Sequence, residues 1–252
     1  MEENITVVKI SGHCLDDETL LWQFARIVAQ REDRLVIVHG GGTEITRLQQ
    51  KLGIEPHYID GLRVTDADSL ALVEMVLCGL VNKRLVRYLL SAGVDAQGLS
   101  GVDRGLVRAR QMRHESVDMG YTGEVESVRG QVICELLSFG VTPVIAPVSG
   151  GATSNFNLNA DPVTGALAAA ISADEVVFIS NVAGVMVDDQ RVTRMTQSEA
   201  EALMESGEIS GGMIPKVETA LDVLSAGVPR AVITDLDGWA NGDGTAFVGG
   251  NK

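Results

Sequence analysis

The chain has 252 residues, 45% hydrophobic and 21% charged, which suits one large domain or two closely joined lobes with a sizeable core. Twenty Lys and Arg stand against 34 Asp and Glu, so a formal charge of −14 makes nucleic acid and anionic membranes poor partners. An aromatic content of 4% argues against base-stacking platforms, so any anionic ligand must be met by a few local cations and backbone N–H groups.

The predicted elements alternate between short β-branched runs and longer stretches of helical period. Ile5-Thr-Val-Val-Lys-Ile10 reads as a buried strand that ends in a glycine-containing turn. Asp16 or Asp17 then caps a helix whose apolar face is Leu20, Leu21, Phe24, Ile27 and Val28. A second buried strand, residues 35–38, runs into Gly40-Gly41-Gly42 and a helix over 43–52. Near-continuous apolar strands separated by helices indicate an open αβα sandwich around a mainly parallel sheet.

Three later helices share one ending, Gly93-Val94, Gly140-Val141 and Gly227-Val228, where glycine supplies a left-handed cap. Strands follow at residues 143–146 and 231–234. Residues 106–110 and 123–128 alternate like an exposed hairpin, and another hairpin is expected around Gly150-Gly151. A small-residue helix is expected over 166–173, and Thr196-Gln-Ser-Glu199 is a capping box that opens another helix. With no low-complexity linker, two lobes sharing one sheet are expected, residues 1–172 and 173–252.

Cys14, Cys78 and Cys134 are scattered and form no C-x-x-C, which points to reduced thiols, a cytoplasmic setting and no zinc site. The acidic first residues do not read as a signal peptide.

Familiar phosphate-binding signatures are missing. None of the five lysines sits in a G-x-x-x-x-G-K-[ST] frame, the triglycine fails G-x-G-x-x-G, and there is no G-x-S-x-G elbow to go with an esterase loop. What remains is a triglycine between a buried strand and a helix, where backbone N–H groups can approach an anion. A tight turn alone needs one or two such glycines. Lys9 in an apolar strand must reach an anion or snorkel to solvent, and Gly12 beside it favours the former. Asp161 reads most simply as a helix cap, and Lys216 as a cation early in a helix that needs an anion nearby.

These residues resemble the amino-acid kinase family, and within it the acetylglutamate kinase branch. The motifs are Lys9-Ile-Ser-Gly12, His39-Gly-Gly-Gly42, Gly61-Leu-Arg-Val-Thr65, Asn157-Leu-Asn-Ala-Asp161, Ser180-Asn-Val-Ala-Gly184 and Gly211-Gly-Met-Ile-Pro-Lys216, in order along essentially the whole chain. The resemblance implies ATP-dependent phosphorylation of the γ-carboxylate of N-acetyl-L-glutamate in arginine biosynthesis. It assigns Lys9 and Lys216 to the phosphoryl group in transit and Asp161 to holding both lysines. Gly12, Gly41 and Gly42 would donate N–H groups to phosphoryl and acceptor oxygens, and Arg63 and Asn157 would bind the amino-acid end of the acceptor. Asn181, Val182, Ala183, Gly184, Val185, Met186, Glu208, Ile209 and Ser210 would line the nucleotide pocket. Magnesium would enter with ATP and need no protein-built metal site.

The pattern departs from the family at Ser11, where a glycine is usual and strain is expected if φ must be positive, at His13, and at Asn181 in place of a frequent Asp. Asn181 and the stretch Cys78-Gly-Leu-Val-Asn-Lys-Arg84 look somewhat like a sister branch acting on aminoadipate or glutamate held by a carrier protein, whereas the Gly61–Thr65, Asn157–Asp161 and Gly211–Lys216 motifs resemble the branch acting on free acetylglutamate. A nucleotide sensor without catalysis is a further alternative. A homodimer insensitive to arginine is expected, because the first strand begins too early for the N-terminal helix of arginine-inhibited relatives.

Overall fold

In β1 (Ile5–Ile10), successive side chains enter different cores: Val7 joins one buried cluster, Val8 and Ile10 another. The same split recurs in β2 (Arg34–His39), with Val36 and Val38 on one side and Ile37 on the other. A sheet that is apolar on both faces must be covered on both, and a three-layer αβα sandwich results. The computed structural model describes residues 4–249.

The remaining strands are β3 (His57–Ile59), β4 (Leu62–Val64), β5 (Ala96–Ser100), β6 (Val107–Gln111), β7 (Thr122–Val128), β8 (Thr142–Ala146), β9 (Val148–Gly150), β10 (Asn155–Leu158), β11 (Glu175–Ile179), β12 (Met186–Val187), β13 (Gln190–Arg191), β14 (Arg194–Thr196), β15 (Arg230–Thr234) and β16 (Thr245–Val248). The α-helices are α1 (Gly12–Leu15), α2 (Glu18–Ala29), α3 (Gly42–Lys51), α4 (Ala67–Glu74), α5 (Asn82–Ser91), α6 (Gln131–Ser138), α7 (Ala160–Ala170), α8 (Gln197–Glu205), α9 (Ile214–Ser225) and α10 (Leu236–Asn241). A π-helical stretch, Met75–Val81, joins α4 to α5.

Eight strands form the central sheet in the order β14-β16-β15-β11-β1-β2-β8-β5, parallel throughout except for the β15–β16 pair. β1 pairs with β2 on one side and β11 on the other, so the sheet runs unbroken through both expected lobes. The strand order reverses about β1, whose neighbours β2 and β11 lead into opposite halves of the sheet, and a crevice opens at the carboxyl ends of these central strands. Lys9 and Gly12 lie there. Among the described residues no helix is long and apolar enough to cross a membrane.

Several local expectations hold. Gly93, Gly140 and Gly227 have φ of 91°, 75° and 94°. The valine N–H after each bonds back to Leu89, Leu136 and Val223 at 3.0, 3.1 and 3.3 Å, the double-bonded left-handed cap the sequence pattern anticipates. Asp17, rather than Asp16, caps α2 through the N–H groups of Thr19 and Leu20. Thr196 and Glu199 cap α8 reciprocally.

Others are corrected. The turn after β1 is a short helix, and Ser11 before it has φ −77°, so serine there carries no left-handed strain. The hairpin β6–β7 is present, but Val107, Ala109 and Thr122 are buried because it closes a small barrel with β9 and β10. The small-residue helix spans Ala160–Ala170, not 166–173. Pro162 does not delay its start, because a first-turn residue needs no intrahelical N–H bond.

Candidate active site

A cleft of about 350 Å³ at the carboxyl ends of β1 and β2 is lined by Lys9, Gly12, all three glycines of the triglycine, Arg63 and Asn157. Four separate motifs therefore converge on one place. Gly41 precedes α3 with φ +153°, and a Cβ there would lie 2.7 Å from Leu77 Cδ2. Backbone conformation and close approach both demand glycine.

Lys9 Nζ pairs with Asp161 Oδ1 at 2.9 Å, with the side chains 19% and 29% exposed. Asp161 is free to do so because Asn159, not Asp161, caps α7, accepting the Asp161 N–H at 3.1 Å. Lys216 sits in the first turn of α9, after Pro215, and its Nζ donates to Asn181 Oδ1 at 3.3 Å. The expected clamp of Asp161 on both lysines is thus divided, with Asp161 on Lys9 and Asn181 on Lys216. Burial, and next the Lys9 ammonium, pull the Lys216 pKa below its usual value, while Asp161 opposes them. Two ammonium groups near enough for one to disfavour the other's charge favour an anion between them.

Arg63 forms another wall of the cleft. It is 7% exposed, and among the described residues its hydrogen-bond partners are all neutral: Gln49 Oε1, Gly42 O at 3.2 Å, Thr46 Oγ1 at 2.8 Å and the Tyr58 hydroxyl at 2.5 Å. Burial lowers its pKa, yet a guanidinium keeps its charge in any protein setting. A buried cation on neutral acceptors is incompletely compensated, and a carboxylate entering the cleft would complete it. Asn157 donates to Thr65 Oγ1 at 3.1 Å, which orients its amide beside Arg63. Sequence reasoning missed Tyr58, whose ring also lies 4.8 Å from the guanidinium carbon. The fold brings it in through the β3–β4 hairpin, where Tyr58 pairs with Arg63.

A second cleft, of about 340 Å³, contains Val182, Ala183, Gly184, Met186, Glu208, Ile209 and Ser210, with Met213 added. Val185, expected there, is fully buried and donates its N–H to Thr245. Asn181 lies instead in a smaller cavity beside His13 and Asp235. Gly184 has φ +144° and packs against Thr245, so this wall too depends on a glycine.

His39, the residue before the triglycine, is fully buried. Burial lowers its pKa to about 4, and the nearby charges of Lys83 and Arg84 add to the shift, against a hydrogen bond to Gly40. The unfolded chain takes up a proton near pH 6.5 that the native state refuses until about pH 4, so stability is lost as the pH falls through that window. By pH 5 the loss from this residue is about 2 kcal/mol. Urea unfolding at pH 8 and pH 5 should show the wild type losing about that much more than His39→Gln. Equal losses in the two proteins would contradict it.

Comparison with known proteins places these observations. Residues 4–235 match the model of the amino acid kinase family. A curated acetylglutamate kinase of Roseiflexus sp. (strain RS-1) is 49% identical over 242 residues, covering 96% of this chain and 92% of that protein. A crystal structure of a Streptococcus mutans UA159 protein superposes with a TM-score of 0.81 at 31% identity, covering 97% of this chain and 98% of the other. The carbamate kinase of Giardia shares the fold, with a TM-score of 0.72 at 13% identity and coverage of 99% and 100%.

Proposed function

The chain belongs to the amino acid kinase family, and from that premise we propose that it moves the γ-phosphoryl group of ATP onto the γ-carboxylate of N-acetyl-L-glutamate. This is the phosphorylation step of arginine biosynthesis, and its product is an acyl phosphate. The observation that carries the reading is the meeting, in one cleft, of Lys9, itself paired with Asp161, the triglycine turn and an Arg63 that has no charged hydrogen-bond partner among the described residues.

A γ-carboxylate has a reference pKa of about 4.3 and is ionised at neutral pH, so no general base is required. One of its oxygens forms a bond to the γ-phosphorus as the bond to the bridging oxygen breaks, and that electron pair leaves with ADP. The obstacle is bringing two anions together. In this reading Lys9 and Lys216 support the charge in flight, and the N–H groups of Gly12, Gly41 and Gly42 hold phosphoryl and carboxylate oxygens. Arg63 and Asn157 take the amino-acid end of the acceptor. Residues 1–172 would carry the acceptor and residues 173–252 the nucleotide, between Val182 and Met186 on one side and Glu208 to Met213 on the other.

Magnesium belongs to the same proposal. Asp161, the carboxylate of this cluster, is already paired with Lys9, which suits a metal that enters bound to the ATP phosphates and neutralises them. A homodimer is also proposed, supported by the exposed Met75, Leu80 and Leu90 along the helical stretch from α4 to α5. Such side chains are the kind that a subunit interface covers.

The purified protein, given MgATP with N-acetyl-L-glutamate, L-glutamate, N-acetyl-L-aspartate or carrier-bound glutamate, should yield a hydroxylamine-trapped hydroxamate with N-acetyl-L-glutamate alone. Product only from the carrier-bound acceptor would move the assignment to the sister branch. ATP binding without product from any acceptor would leave a nucleotide sensor.

A further inference from the structure

We propose that Asn82 is a positioning residue for phosphoryl transfer, acting through His39 to fix the direction of the Gly41 N–H. The inference rests on the kinase reading above. It also gives a use to residues 78–84, which the sequence tied only to a sister branch.

The Gly40 carbonyl and the Gly41 N–H belong to the same planar group and point in opposite directions. His39 Nδ1 lies 2.8 Å from Gly40 O, and Asn82 Nδ2 lies 3.0 Å from His39 Nε2. Asn82 is 1% exposed, and its amide orientation is fixed by its neighbours. Nδ2 also donates to Val144 O at 2.9 Å, while Oδ1 accepts from Lys83 Nζ at 3.1 Å. A flipped amide would set oxygen against oxygen and nitrogen against ammonium. Asn82 is therefore the donor to His39 Nε2, so the imidazole proton resides on Nδ1 and is donated to Gly40 O.

With its carbonyl tied toward His39 in the core, the peptide turns the Gly41 N–H the other way, on the side of the cleft that Gly41 lines. A link between two glycines is the part of the chain most able to rotate, and rotation would put a carbonyl oxygen where a phosphoryl oxygen must sit. The bed beneath the turn comes from the same segment. Leu77 and Val81 fill the space next to Gly41, and Arg84 Nη2 holds Glu44 in α3 at 2.8 Å. The triglycine is thus seated from both ends by one stretch of chain, and Asn82 decides which way its central N–H points.

The test has two parts. Nitrogen-15 NMR of the imidazoles in the wild-type protein at pH 7, with His39 assigned by its loss in His39→Gln, should show the Nδ1–H tautomer. An Nε2–H tautomer overturns the proposal. In kinetics, Asn82→Ala and the near-isosteric Asn82→Asp, whose carboxylate draws the imidazole proton to Nε2, should each lower kcat on the order of 10- to 100-fold. KM for ATP and for the acceptor should stay within about threefold, with circular dichroism unchanged for at least Asn82→Asp. A kcat within twofold of wild type, or a loss confined to KM, also overturns it. Because the tautomer is read on wild-type protein whatever its turnover, failure of this inference and failure of the acceptor assignment are separable.

Discussion

Lys9→Ala lowers kcat about 10²- to 10³-fold while ATP still binds within a few-fold of wild type: that is the largest single effect expected. Two losses combine. The ammonium that would meet the transferring phosphoryl oxygens is gone, and Asp161, paired with it at 2.9 Å, becomes an uncompensated carboxylate facing an incoming anion. The nucleotide itself is expected to rest mainly in the cleft around Val182, Gly184 and Ser210, so its binding survives. Lys9→Arg should rescue little, because a planar fork cannot place a compact charge where Nζ sits. Hydroxamate kinetics beside calorimetric ATP binding check this. A kcat within fivefold of wild type would remove Lys9 from the reaction.

Arg63→Ala is the second. It should raise the KM for N-acetyl-L-glutamate about 10- to 100-fold, the worth of a lost charge-assisted hydrogen bond, with a smaller change in kcat. Arg63 also ties the start of α3, through Gly42 O and Thr46 Oγ1, to Tyr58 on the β3–β4 hairpin, so some thermal stability is lost as well. Arg63→Lys keeps the charge and forfeits the fork. Its acceptor KM should stay close to that of Arg63→Ala while its melting temperature recovers. An acceptor KM indifferent to both changes would place the acceptor elsewhere.

Most of the fold was legible because its signals are local. Gly93, Gly140 and Gly227 announce their own left-handed caps, Thr196 and Glu199 are three residues apart, and the strands of the parallel sheet read as apolar runs. The misread start of α7 has a local cause too. Pro162 looks like a break, and only the Asn159 cap shows that it lies inside the first turn. Contacts distant in sequence were not legible. The Asn82–His39 bond spans 43 residues, and nothing in either neighbourhood announces the other. Likewise, the division of labour between Asp161 and Asn181 depends on how α7 meets β1 and β11 and how α9 packs against α7. The candidate site was readable as a set of motifs because its glycines and lysines are conspicuous. The neutral groups that hold Arg63, Asn157 and His39, namely Thr46, Tyr58, Thr65 and Asn82, look like any other polar residues.

The central claim is that a carboxylate oxygen of the acceptor attacks the γ-phosphorus of ATP. N-acetyl-L-glutamate labelled with oxygen-18 in its γ-carboxylate, incubated with MgATP, the protein and hydroxylamine, tests this directly. Hydroxylamine cleaves the acyl C–O bond, so the inorganic phosphate released should carry one oxygen-18 atom by mass spectrometry. Phosphate free of the label would mean that water had received the phosphoryl group, and the account would fail.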